Sequence, residues 1–235
     1  MISAKITLVE ALKMFNRKER YWLIRNALGV NSEKLDSEFR KLLKEKHFIE
    51  VPENAWWAMD YQIDWLIGAL HLFKCQGEEA VCEKPEINKP QLFTGTIQDI
   101  DFLVAFKNTL IFIEAKGDAP WNCEQLNSKI GRLQNIVKEF NSVETHFLLI
   151  SPKPPQKKRI EKSIESLRLS WIFAGDKPRW LPLQIITDEH NPNITRFEDF
   201  YHVRRCDKNI GPANQDSVFM LRNGKSDLRT KTVRQ

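Results

Sequence analysis

Residues 98–117, QDIDFLVAFKNTLIFIEAKG, constrain the fold of this chain more than any other stretch. Residues 102–106 read as a strand, Lys107-Asn108-Thr109 is turn-like, and residues 110–115 are nearly all apolar. An unbroken apolar run of that length suits a strand covered on both faces, and a short turn between two such runs makes an antiparallel hairpin. The second strand therefore belongs in the middle of a sheet. Residues 122–140 then place Leu126, Ile130, Leu133, Ile136, Val137 and Phe140 at helical spacing, and residues 145–150 read as another buried strand. Strand, helix and strand make a crossover, which adds a parallel pair to the antiparallel one. The expected class is α/β, with a mixed central sheet flanked by helices.

Ahead of the hairpin the periodicity is helical. One amphipathic helix is predicted over residues 7–28, with a break near Asn16 and Gly29 as its C-cap, and another over residues 32–46 with Leu35, Phe39, Leu42 and Leu43 inward. A third is predicted over residues 56–73, where Trp56, Trp57, Trp65, Leu66 and Leu70 read as core. Behind the crossover, a helical pattern at residues 156–167 precedes strand-like runs at 171–173 and 183–186. Beyond residue 187 the pattern weakens, apart from an apolar island at 218–221, and the final residues read as a mobile tail. The division that follows is a helical extension or cap at residues 1–55, a core at 56–187 and an irregular segment at 188–235.

Composition narrows the function classes only a little. With 42% hydrophobic and 29% charged residues, the chain has the balance of a soluble globular protein. A net charge of +5 permits a polyanionic partner without demanding one, and the basic run PKPPQKKR at residues 152–159 reads as a solvated loop. Cys75, Cys82, Cys123 and Cys206 form no CxxC pair, so structural zinc is not expected. With no apolar leader and no run long enough to span a bilayer, the expectation is a cytoplasmic protein that does not engage a membrane. Gly224-Lys225-Ser226 lacks the earlier glycine of a phosphate-binding loop, because Phe219 stands in its place. His47, His71, His146, His190 and His202 are too scattered to suggest a nucleophilic triad.

The hairpin itself carries the chemistry. Asp101 lies seven residues before Asn108 and Glu114 six after it, so antiparallel pairing brings the two acids close in the ladder. Glu114 and Lys116 are separated by one residue and share a face, roughly 6–7 Å apart. Two carboxylates offer hard oxygen ligands of the kind Mg²⁺ or Mn²⁺ takes alongside water and substrate phosphate. A neighbouring lysine suits an attacking water or a developing negative charge. The set fits hydrolysis of a phosphodiester.

An Asp followed ten to fifteen residues later by Glu-x-Lys at the end of an apolar strand resembles the signature of the PD-(D/E)XK nuclease superfamily. Asp99-Ile100-Asp101 is similar to the acid-Ile-Asp of members reading Gly-Glu-Ile-Asp, and Ile113-Glu114-Ala115-Lys116 to their apolar-Glu-x-Lys. Ile100 stands where many members have proline. The resemblance covers about residues 56–151 and implies a restriction-endonuclease-like core with an N-terminal helical extension. It further implies that Asp101 and Glu114 bind Mg²⁺ or Mn²⁺, that Lys116 assists the nucleophile, and that the partner is nucleic acid, DNA ahead of RNA. By the same resemblance Asp60 or Asp64 is a candidate carboxylate on the first core helix, and Gln125 a candidate on the helix after the lysine. A homodimer is compatible with it, as is a nuclease-fold binding or scaffold protein that has lost turnover. The N-terminal helices read either as a cap on the core or as a recognition module placing Arg17, Lys18, Arg20 and Arg25 on phosphates, the cap being preferred.

Overall fold

The computed structural model describes residues 19–29, 34–74, 92–95, 98–117, 121, 123–155, 171–174, 177–184, 201–205 and 219–223. In chain order the helices are α1 (Glu19–Leu28), α2 (Ser37–His47), α3 (Ile63–Lys74) and α4 (Cys123–Glu139). The strands are β1 (Trp56–Gln62), β2 (Asp99–Phe106), β3 (Thr109–Ala115), β4 (Glu144–Ser151), β5 (Phe173–Ala174), β6 (Lys177–Pro178), β7 (Trp180–Pro182), β8 (Tyr201–Arg205) and β9 (Phe219–Asn223).

Five strands form one mixed sheet in the order β1-β2-β3-β4-β7. β1 pairs antiparallel with β2 and β2 with β3, whereas β4 lies parallel to β3 across the α4 crossover. β3 is central and all but its first residue are buried, as its apolar run requires. Alternation along the strands sends side chains to two separate cores. Phe102, Val104, Ile111, Ile113, Leu148 and Ile150 pack with Leu23 and Ala27 of α1 and Phe39 and Leu43 of α2. Leu103, Phe112, Phe147 and Leu149 pack on the opposite face with Ile67 and Leu70 of α3 and Ile130 and Leu133 of α4. The sheet is thus sandwiched between two helix pairs. Fully burying a phenylalanine such as Phe112 or Phe147 contributes roughly 1.5–3 kcal/mol.

The helix boundaries have local causes. α1 stops at Leu28 because Gly29 adopts φ 72°, the left-handed conformation that suits glycine, with its N–H on Arg25 O at 3.1 Å. The helix predicted over 32–46 begins at Ser37, because Asp36 is its N-cap and accepts from the backbone N–H groups of Glu38 and Phe39 at 2.9 and 3.3 Å.

The helix predicted over residues 56–73 is half strand. Residues 56–62 form β1, and only the remainder is α3. The registry Trp56↔Ala105 to Gln62↔Asp99 supplies backbone partners that a helix would forgo, and Trp and Tyr suit a pleated edge. Trp57 stacks on Phe102 at 5.4 Å, but Trp56 and Trp65 are 52% and 57% exposed, contrary to their reading as core. The strand expected at 171–173 is β5, at 173–174, which pairs with β6; of the strand expected at 183–186, residues 183–184 follow β7 without being part of it, and 185–186 lie outside the described residues. In the segment expected to be irregular, β8 and β9 pair as an antiparallel ribbon. Residues 7–18 and the helix predicted at 156–167 lie outside the described residues. No helix among the described residues is long and apolar enough to cross a membrane.

Candidate active cleft

Asp101 and Glu114 meet where β2 begins and β3 ends. The paired register runs to Phe102↔Ile113, one step short of the acids, and the Glu114 carboxyl accepts a hydrogen bond from the Asp101 backbone. Both are buried, at 7% and 8% exposure, which is rare for carboxylates and requires partners. Asp101 Oδ2 accepts the N–H of Ala115 at 2.8 Å, which ties the acid to the β3 backbone. Its Oδ1 receives Arg20 Nη2 at 3.0 Å. Glu114 Oε1 receives Lys129 Nζ at 2.6 Å, in a pair whose side chains are 12% and 10% exposed.

These cations arrive from opposite faces of the sheet. Arg20 belongs to α1 and Lys129 to α4, whose apolar residues pack in separate cores. Burial, and secondly the Asp101 charge, push the Glu114 carboxyl up to about 8 against the pull of Lys129. Two carboxylates held side by side in a partly dry site resist ionising together, and any cation between them relieves that repulsion.

The acids open onto a cleft of about 690 Å³ that is also lined by Lys116, Trp121 and Gln125. The Lys116 N–H donates to Ile150 O at 2.8 Å, which anchors the residue past the end of β3 while its half-buried side chain borders the cleft. Gln125 comes from the first turn of α4, one helical turn before Lys129. Asp101, Glu114, Lys116 and Gln125 are therefore brought together.

Asp64 is placed elsewhere. It pairs with Arg132 of α4 and accepts the Gly95 N–H at 3.2 Å, and it is absent from the cleft lining. Its role is to clamp the start of α3 to α4. Asp60, in β1 rather than on a helix, is linked to the acids through Arg20 Nη1 at 3.0 Å. It adopts φ 49°, a conformation uncommon outside glycine that aspartate tolerates better than most residues.

Sequence reasoning did not anticipate Lys129 or Arg20 as partners of the acids. Lys129 had a local signal, its spacing of four from Gln125, whereas Arg20 lies 81 residues from Asp101 and had none. A divalent cation fits the donor set only as two carboxylates completed by water or substrate oxygens. Among the described residues, no three or more His, Cys, Asp or Glu side chains gather into a full cage. Compared with protein-family models, curated proteins and solved structures, the chain matches none significantly.

Proposed function

We propose that this chain is a metal-dependent nuclease of PD-(D/E)XK type, with a restriction-endonuclease-like core, which hydrolyses phosphodiester bonds in DNA, or secondarily RNA, in the cytoplasm. The observation that carries this reading is the pair of adjacent buried carboxylates at an open cleft that Lys116 also lines. Asp101 and Glu114 would hold Mg²⁺ or Mn²⁺. Such an ion supplies an acidified water and offsets charge on the phosphoryl oxygens. Lys116 orients the attacking water and stabilises the charge that develops as the bond breaks. Gln125, which lines the same cleft from α4, would hydrogen-bond the water or a phosphate oxygen. Burial of the acids keeps bulk water from screening them.

The test is cleavage of labelled DNA and RNA with Mg²⁺ by the wild type, Asp101→Ala and Lys116→Ala, with folding checked by circular dichroism. Both variants are expected to be inactive while folded, and cleavage retained in either refutes the assignment. A second reading, a nuclease-fold nucleic-acid-binding or scaffold protein without turnover, is favoured by one observation: both acids already carry internal cations. Calorimetry that finds tight DNA binding and no Mg²⁺ or Mn²⁺ binding would establish it.

A further inference from the structure

Arg20 holds Oδ1 of Asp101, an oxygen that a metal could take. Asp101 Oδ2 accepts the Ala115 N–H at 2.8 Å and Oδ1 accepts Arg20 Nη2 at 3.0 Å, so an ion on either oxygen shares it with a hydrogen bond. Mg²⁺ binds carboxylate oxygens at about 2.0–2.1 Å, so an ion on Oδ1 would place two positive charges within roughly 5 Å of each other. Their repulsion makes the guanidinium and the ion competitors for Asp101.

Arg20 also has somewhere to go. The same Nη2 lies 3.6 Å from Asp99 Oδ2, and Nη1 lies 3.0 Å from Asp60 Oδ1. Those carboxylates are 33% and 45% exposed, while Asp101 is 9% exposed, so the guanidinium can leave the buried acid and keep its two outer partners. Such a move loosens only the first turn of α1, because Leu23, Ala27 and Leu28, the residues that anchor it, lie further along the helix. Lys129 differs: its side chain is 12% exposed, and it approaches Glu114 from the opposite face of the sheet.

We propose that Arg20 is an exchangeable plug, an internal cation that neutralises Asp101 in the metal-free protein and is displaced onto Asp60 and Asp99 when a divalent cation enters. α1 then serves as an autoinhibitory element whose first turn reports whether the site is filled. This rests on the metal-binding reading above and adds a competitor to it.

Calorimetric Mn²⁺ titration of the wild type, Arg20→Met and Arg20→Lys at one pH, with Asp101→Asn as the blank, tests the plug. With the guanidinium side 38% exposed, the pair contributes about 1 kcal/mol, so Arg20→Met is expected to bind Mn²⁺ about two- to fivefold more tightly. Arg20→Lys, which cannot bridge three carboxylates, should fall between. Hydrogen exchange gives an independent readout: Mn²⁺ should speed exchange in the first turn of α1 in the wild type and leave Arg20→Met unchanged. Affinity that is equal or weaker in Arg20→Met, or wild-type binding with no change in α1 exchange, overturns the plug and leaves the metal site standing. Absence of Mn²⁺ binding in every protein removes the metal site, and the plug with it.

Discussion

Replacing Asp101 by asparagine should abolish activity at almost no cost in stability, whereas alanine should cost both. Asp101 makes two bonds of unequal worth. The one to the Ala115 N–H is buried, since Ala115 is 4% exposed, and an asparagine carbonyl oxygen can accept it equally well. The one to Arg20 has a partner whose side chain is 38% exposed, so losing it costs up to about 1 kcal/mol. Against that loss, asparagine removes the negative charge which, after burial, is the largest contributor to the raised Glu114 carboxyl. The net change is expected within about 1 kcal/mol of zero. Alanine instead leaves the Ala115 N–H without its partner, which costs about 1–3 kcal/mol for a buried donor. For a chain of this size each 1 kcal/mol moves Tm by roughly 2–4 °C, so the alanine variant should melt several degrees below the asparagine variant. Urea denaturation followed by circular dichroism, without divalent ions, measures the gap. Cleavage of DNA with Mg²⁺ measures activity on the same samples. An asparagine variant as unstable as the alanine one would refute the assignment of stability to the Ala115 bond, and an active one would remove Asp101 from the metal site.

Three further outcomes are expected. Phe112→Ala deletes a fully buried ring that meets Trp171 edge-on at 6.5 Å, and should cost about 3–5 kcal/mol in urea denaturation; a loss below 1 kcal/mol would contradict its place in the core. Trp65→Ala removes a ring 57% exposed and should change stability by less than about 1 kcal/mol, whereas a loss comparable to that of Phe112→Ala would restore the reading of Trp65 as core. His47 is pushed down to about 4 by burial, although it hydrogen-bonds the Trp180 carbonyl, so the folded state stays neutral where the unfolded chain takes up a proton near 6.5. Its contribution is complete above pH 6.5 and is lost as pH falls towards 4, by about 3 kcal/mol for this buried ring. Melting curves across that range should be steeper in pH for the wild type than for His47→Gln, and parallel curves would count against the assignment.

What the sequence determined by itself was local. The β2–β3 hairpin, the apolar β3 strand, the α4 crossover and the glycine stop at Gly29 each follow from contiguous residues whose spacing admits one backbone geometry. The nearness of Asp101 and Glu114 belongs with them, because a two-strand ladder across a short turn leaves little freedom of register. Residues 56–62 were not legible in this way. Their tryptophans and methionine fit a helical spacing on paper, and β1 exists because β2 offers it a backbone ladder. The charges around the acids were equally hidden. Arg20 reaches Asp101 across 81 positions and from the other side of the sheet from Lys129, a meeting that exists only once both helix layers have packed. Hydrogen bonding along a hairpin is a short-range property that neighbouring residues specify. The environment of a buried carboxylate depends on every element packed around it, so it was decided by the tertiary structure.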